Sequence, residues 1–252
     1  MKLCPKCEYE RKPTDVGPAG ICTACGLVFS KWVDRSLGRL QVRAAVKVPD
    51  DENGGLQQLV STLTHVEARV DSMSFWARVA IFAALFLWGW QFMLMDYRSA
   101  DIMNSFMHRI DLVFHEAGHV FFMPFGAFMA ILGGTLGQLI MPVVVIVALI
   151  VTSGDTFGAS VGLWWLGQSL MDCAPYIADA RALQLQLVGG GTGADRPGAH
   201  DWENMLLDLN LIQHDLRIAS IAHAIGALVM LLAFAWGAYL LLKQHVNIDH
   251  KD

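Results

Sequence analysis

The chain has 252 residues, 54% hydrophobic and only 16% charged, with a formal net charge of −5, and its mean hydropathy is +0.43. That balance excludes an ordinary soluble domain and points to the membrane. Residues 1–74 hold ten of the eighteen Lys and Arg together with nine acids, and with no long basic run no nucleic-acid partner is expected.

The first element in chain order is a pair of cysteine knuckles, Cys4-Pro5-Lys6-Cys7 and Cys22-Thr23-Ala24-Cys25, the second followed by Gly26. Four thiolates in two close pairs suit a closed tetrahedral zinc site, and so small a module lacks the core to fold without one. Two disulfides are the alternative, and an oxidising compartment would favour them. Residues 3–30 resemble a zinc ribbon, which implies a structural or docking role, a bound Zn2+ and a reducing cytoplasm around the N-terminus. Because Cys4 and Cys7 fall where the apolar core of a cleaved signal peptide would lie, no such peptide is expected. Cys173 stands alone in an apolar stretch and reads as packing.

Residues 31–74 form the second region. Pro49-Asp50-Asp51-Glu52-Asn53-Gly54-Gly55 reads as a linker. After it, Leu56, Leu59, Leu63, Val66, Val70 and Met73 recur at alternating three- and four-residue spacing, a short heptad seam. Residues 56–73 are expected either to support a homo-oligomer or to lie as an amphipathic helix on the membrane or the protein body.

Residues 75–252 read as an all-α polytopic membrane domain of about five transmembrane helices, over 75–95, 103–125, 128–151, 158–181 and 217–242. Because Lys and Arg concentrate before the first span, the N-terminus should be cytoplasmic, as in a bacterial-type inner membrane. Between the last two spans, Gly189–Gly193 reads as a flexible connection, since it lacks the Lys-Ser/Thr of a phosphate-binding loop. The stretch 201–213 reads as a short amphipathic helix.

The second span carries His115-Glu116-Ala117-Gly118-His119. On a helix the two histidines are i and i+4, so both imidazoles leave one face a turn apart, a spacing two ligands of one zinc ion can share. Glu116 is placed to reach a metal-bound water, whose pKa zinc lowers to roughly 7, and to move its proton to a leaving amine. Ionisable groups in apolar sequence are costly, which argues against a chance match. His108 and Asp111 share the stripe; Asp111 can fix a ligand imidazole, or both can simply sit at the interface.

Two histidines leave zinc short of a protein ligand. Asp172 and Asp179 are seven residues apart in the fourth span, roughly on one face; His200 and Asp201, after the glycine run, are further candidates. At this point the chain resembles the site-2 protease family of intramembrane zinc metalloproteases, which carries His-Glu-x-x-His on one transmembrane helix and an Asp-Gly motif with the third ligand on a later one. The stretch from Gln168 through Asp172, Pro175 and Asp179 to Arg181 resembles that later motif in degenerate form. Matching its polar start, proline and arginine implies Asp179 as the ligand, with Asp172 supporting it. Gly133-Gly134-Thr135-Leu136-Gly137-Gln138 is similar to the family's Gly-Pro-x-x-Asn turn, with Gln138 for the Asn and the glycine and proline displaced. The resemblance covers about residues 103–181. It implies an intramembrane zinc endopeptidase acting on membrane-protein or membrane-peptide substrates, with Glu116 catalytic. The rival is a non-proteolytic membrane metal-binding or transport protein that recruits partners through its ribbon.

Overall fold

The computed structural model describes residues 52–248 and, before them, residues 3, 4, 6, 7, 9, 10, 12, 14, 15, 18 and 20–29. The chain divides into two units, Met1–Gln57 and Gln58–Asp252. In the first, each cysteine knuckle is closed by an antiparallel bridge, Leu3 with Glu10 and Ile21 with Val28. The Cys4 and Cys22 amides donate to the carbonyls of Tyr9 and Leu27, both at 2.9 Å. Gly26 closes the second knuckle at φ 70°, a conformation a glycine adopts without strain.

Among the described residues the rest is built of helices and their connections, with isolated bridges between Val70 and Ile248 and between Gln186 and Thr192. Most of the expected linker lies outside the described residues, and its last part, Glu52–Gly55, is instead the first turn of α1 (Glu52–Leu63). The heptad does not continue as one helix. Its C-terminal carbonyls are taken by side chains from elsewhere: Trp236 Nε1 donates to Leu63 O at 2.8 Å, Lys243 Nζ to Thr64 O at 2.7 Å and Thr156 Oγ1 to His65 O at 2.7 Å. Val66 and Val70 then turn inward against Phe75, Phe157 and Leu241. Asp71 caps the next helix, α2 (Ser72–Leu94), accepting from the Ser74 amide.

Five further helices follow: α3 (Phe106–Phe122), α4 (Ala127–Ala148, prolonged by a π turn over Leu149–Ser153), α5 (Thr156–Ala178), α6 (Asp201–Asp208) and α7 (Asp215–His245). Three helical stretches, Ser72–Leu94, Ala127–Ser153 and Ile212–His245, are long and apolar enough to cross a membrane. The expected spans over 103–125 and 158–181 are present as α3 and α5 but do not reach that standard. At 17 residues, α3 is about 25 Å long. Meanwhile α5 buries Gln168, Ser169 and Asp172, because it faces protein on several sides and need not be uniformly apolar.

Small residues set the helix crossings. Where α5 meets α7, a Cβ on Gly226 would lie 2.7 Å from Gly167 O; where α3 meets α4, a Cβ on Gly133 would lie 2.6 Å from Gly118 O. Backbones that touch this closely are characteristic of small-residue seams in membrane bundles. Beside these seams a core of Phe92, Ile102, Met107, Trp164, Met171 and Met230 fills the bundle.

Candidate metal centre

Helix α3 carries His115 and His119, and Ser105 starts it by accepting from the His108 amide at 3.1 Å. The glycine seam brings α4 so near that both rings lie over Gly134, where any Cβ would meet their Nε2 atoms. The ring centroids are 4.8 Å apart. His115 Nδ1 is 2.8 Å from Gln138 Oε1, and His119 Nδ1 is 2.8 Å from the Ala130 carbonyl. Oxygen acceptors at both Nδ1 atoms place the ring protons there and leave both Nε2 lone pairs free for a metal. Gln138 is held in turn, its amide donating to Ser169 O at 3.3 Å and Cys173 Sγ at 3.1 Å. The Gly133–Gln138 stretch performs this inside helix α4 rather than as a turn.

The carboxylate that meets the two histidines belongs to Asp201. Its Oδ2 is 3.1 Å from His115 Nε2 and 3.3 Å from His119 Nε2. One ligand atom from each of these residues falls in a group within 4.8 Å. Tetrahedral ligands at roughly 2.1 Å from a zinc ion would lie about 3.4 Å apart, so the donor set fits this metal, with a fourth position left for water or substrate. Tyr176 braces Asp201, accepting from its amide at 3.1 Å and donating to its Oδ2 at 3.3 Å.

The expected ligand Asp179 is placed elsewhere. It caps the C-terminal end of α5, where the chain has already turned away, and its two oxygens accept from the amides of Gln184 and Leu185, both at 2.9 Å. Its Oδ2 also lies 3.4 Å from Nε2 of His200, which is fully buried. His200 in turn starts α6, its Nδ1 accepting from the Glu203 amide at 3.1 Å. Asp179 and His200 therefore hold the segment that delivers Asp201. Asp172 is likewise apart from the histidine pair: both its oxygens meet His108 Nδ1, at 2.9 and 3.1 Å. Asp111 Oδ1 accepts from Trp165 Nε1 at 2.8 Å.

A cavity of about 410 Å3 joins these groups, lined by His108, His115, Glu116, His119, Asp172 and Asp201 among others. The glycine run expected as a flexible connection forms a closed hairpin at its edge. Gln186 bridges to Thr192, Leu187 N donates to Gly191 O at 2.8 Å, and Gly189, Gly190 and Gly191 all take positive φ. Gln186, Leu187 and Val188 face the cavity, as does Arg196, which donates to the carbonyls of Val188 and Gly190 at 3.0 and 3.1 Å. Sequence reasoning carried Asp201 only as a lesser candidate. It missed the Ala130 carbonyl, which has no side-chain signal, and the seat provided by Gly134.

In the N-terminal unit, Cys4 Sγ is 3.7 Å from Cys25 Sγ and Cys7 Sγ is 3.7 Å from Cys22 Sγ. All four sulfurs lie within 4.8 Å of one another. Sulfurs on a tetrahedral zinc ion, each at about 2.3 Å, would be about 3.8 Å apart, so this group fits a closed metal site. The four cysteines are free, not disulfide-bonded. Comparison with family models, curated proteins and solved structures finds no match for this chain. The reading of both sites therefore rests on their geometry.

Proposed function

We propose that the chain is an intramembrane zinc endopeptidase of the site-2 protease kind, with Asp201 in the ligand position that the resemblance assigned to Asp179. The observation that carries this reading is the convergence of His115 Nε2, His119 Nε2 and Asp201 Oδ2 in a cavity that Glu116 also lines. Zinc bound there would polarise a water molecule and a peptide carbonyl. Glu116 takes a proton from the attacking water and returns it to the departing amide nitrogen. Gln138 and the Ala130 carbonyl hold the imidazoles with Nε2 forward, and Tyr176 keeps the Asp201 carboxylate in place. A metal-binding or transport protein would leave Glu116 without a task.

In this reading α3 and α5 join the three apolar helices as membrane elements, making five, with the N-terminus cytoplasmic. The four cysteines hold Zn2+ in a ribbon that docks a partner, and substrates are membrane proteins or peptides. Self-association would use the part of the 56–73 seam that stays exposed on α1, Leu56 and Leu59. The test is Glu116→Gln in the full chain beside a co-expressed single-span substrate. The variant should keep two metals per chain and lose cleavage, whereas His115→Ala and His119→Ala should drop to one metal. Cleavage at the wild-type rate by Glu116→Gln would remove the general base, and two metals in His119→Ala would remove the site.

A further inference from the structure

Away from the metal centre, a second cleft of about 600 Å3 opens between α2 on one side and α3 and α4 on the other, with α5 as its floor. Its body is apolar: Leu85 and Trp88 from α2, Ile110 from α3, Val145 from α4 and Trp165 from α5. Charge is confined to Arg78 and Asp155. Arg78 lies in the second turn of α2 and Asp155 caps the start of α5, so both stand at helix ends rather than in the middle of the bundle.

These two charges are not paired with each other. Among the described residues Arg78 pairs only with the largely exposed Glu67, at 4.0 Å, a distance and setting worth little in water. Asp155 accepts from the Gly158 amide at 2.9 Å and has no cation within ion-pair distance among the described residues. The cleft thus presents one cation and one anion at its rim above an apolar trough. From Arg78 to Trp88 the trough follows ten residues of α2, about 15 Å.

We propose that this cleft binds a glycerophospholipid with a primary-amine head group, of the phosphatidylethanolamine type. The phosphate meets the Arg78 guanidinium, the ammonium meets the Asp155 carboxylate, and an acyl chain lies in the trough. A glycerol head group satisfies Arg78 but leaves Asp155 facing no cation. A choline head group carries both charges yet has no N–H to donate. The amine alone answers both residues.

The test reconstitutes the full chain in nanodiscs of phosphatidylethanolamine, phosphatidylglycerol and phosphatidylcholine in equal parts. It is then extracted in mild detergent and its retained lipids are counted by native mass spectrometry. Wild type should retain one phosphatidylethanolamine in preference to the other two. Arg78→Gln should lower that retention by about tenfold or more, the scale of one lost contact to a charged group. Asp155→Asn keeps a cap acceptor for α5 and should still retain a lipid, but without preference for the amine over glycerol. Metal content and monodispersity of each variant verify folding independently of lipid. The proposal is overturned if wild type retains the three head groups alike, if Arg78→Gln keeps the wild-type lipid, or if Asp155→Asn keeps the amine preference. Indifferent retention would mark the trough as a seat for any apolar chain, a substrate helix included.

Discussion

Gly134→Ala adds one methyl group and removes no donor, yet it should empty the membrane metal site. An alanine Cβ at this position would lie 2.5 Å from His115 Nε2 and 2.6 Å from His119 Nε2. Ordinary contact begins at 3.4 Å, so the rings must retreat by about 0.9 and 0.8 Å, whereas a functional metal site tolerates about 0.2 Å. Helix α4 has no easy shift to offer, because Gly133 and Gly137 already press against the α3 backbone. Stability should change little: overpacking costs roughly 1–3 kcal/mol, and exchanging glycine for alanine within a helix returns about 1 kcal/mol. The assay is metal per chain by elemental analysis of purified full-length protein, with helicity and thermal unfolding followed in parallel. The expected result is a fall from two metals to one at near-native stability. Gly55→Ala, where an added Cβ meets nothing within 4 Å, is the control and should keep both. Two metals bound at wild-type affinity in Gly134→Ala would mean that the Nε2 atoms over this glycine are not the ligands.

Two further outcomes separate the acids and the metals. Asp201→Ala should lose the membrane metal outright, whereas Asp179→Ala, which frees His200 and the Gln184 and Leu185 amides, should weaken it about 10–100-fold; titration of each variant with zinc reads the difference, and the reverse order would return the ligand role to Asp179. Residues 1–30 made alone should bind one zinc through Cys4, Cys7, Cys22 and Cys25 and unfold on chelation; a fold that circular dichroism finds unchanged by a chelator would refute the ribbon.

His115 and His119 were legible because helix periodicity is local: four residues along one helix bring two side chains to one face wherever the helix lies. The cysteine pairs were legible for a similar reason, since each knuckle is built within a few residues of itself. The heptad from Leu56 to Met73 shows where that logic ends. Its periodicity is genuine, but Trp236, Lys243 and Thr156 reach the carbonyls at Leu63 to His65 from distant elements, and no local pattern records them.

The same distinction governs the carboxylate that joins the two histidines. Asp172 and Asp179 are spaced for one helix face, and that spacing made both attractive, but α5 ends at Ala178, so Asp179 follows the turn while Asp172 stays on α5 and meets His108 of α3. Asp201 is 86 residues from His115, and nothing in its neighbours announces a metal. Its position depends on the course of the intervening chain, which the positive-φ glycines, the Asp179 oxygens and buried His200 together define. The apolar helices, the histidine pair and the cysteine quartet follow from the sequence itself, because each rests on composition or on spacing within one element. The meeting of Asp201 with the histidines, the tautomers set by Gln138 and the Ala130 carbonyl, and the seat at Gly134 come only from the tertiary structure. Each is a contact between elements, and the energies that decide it are distributed over the whole bundle.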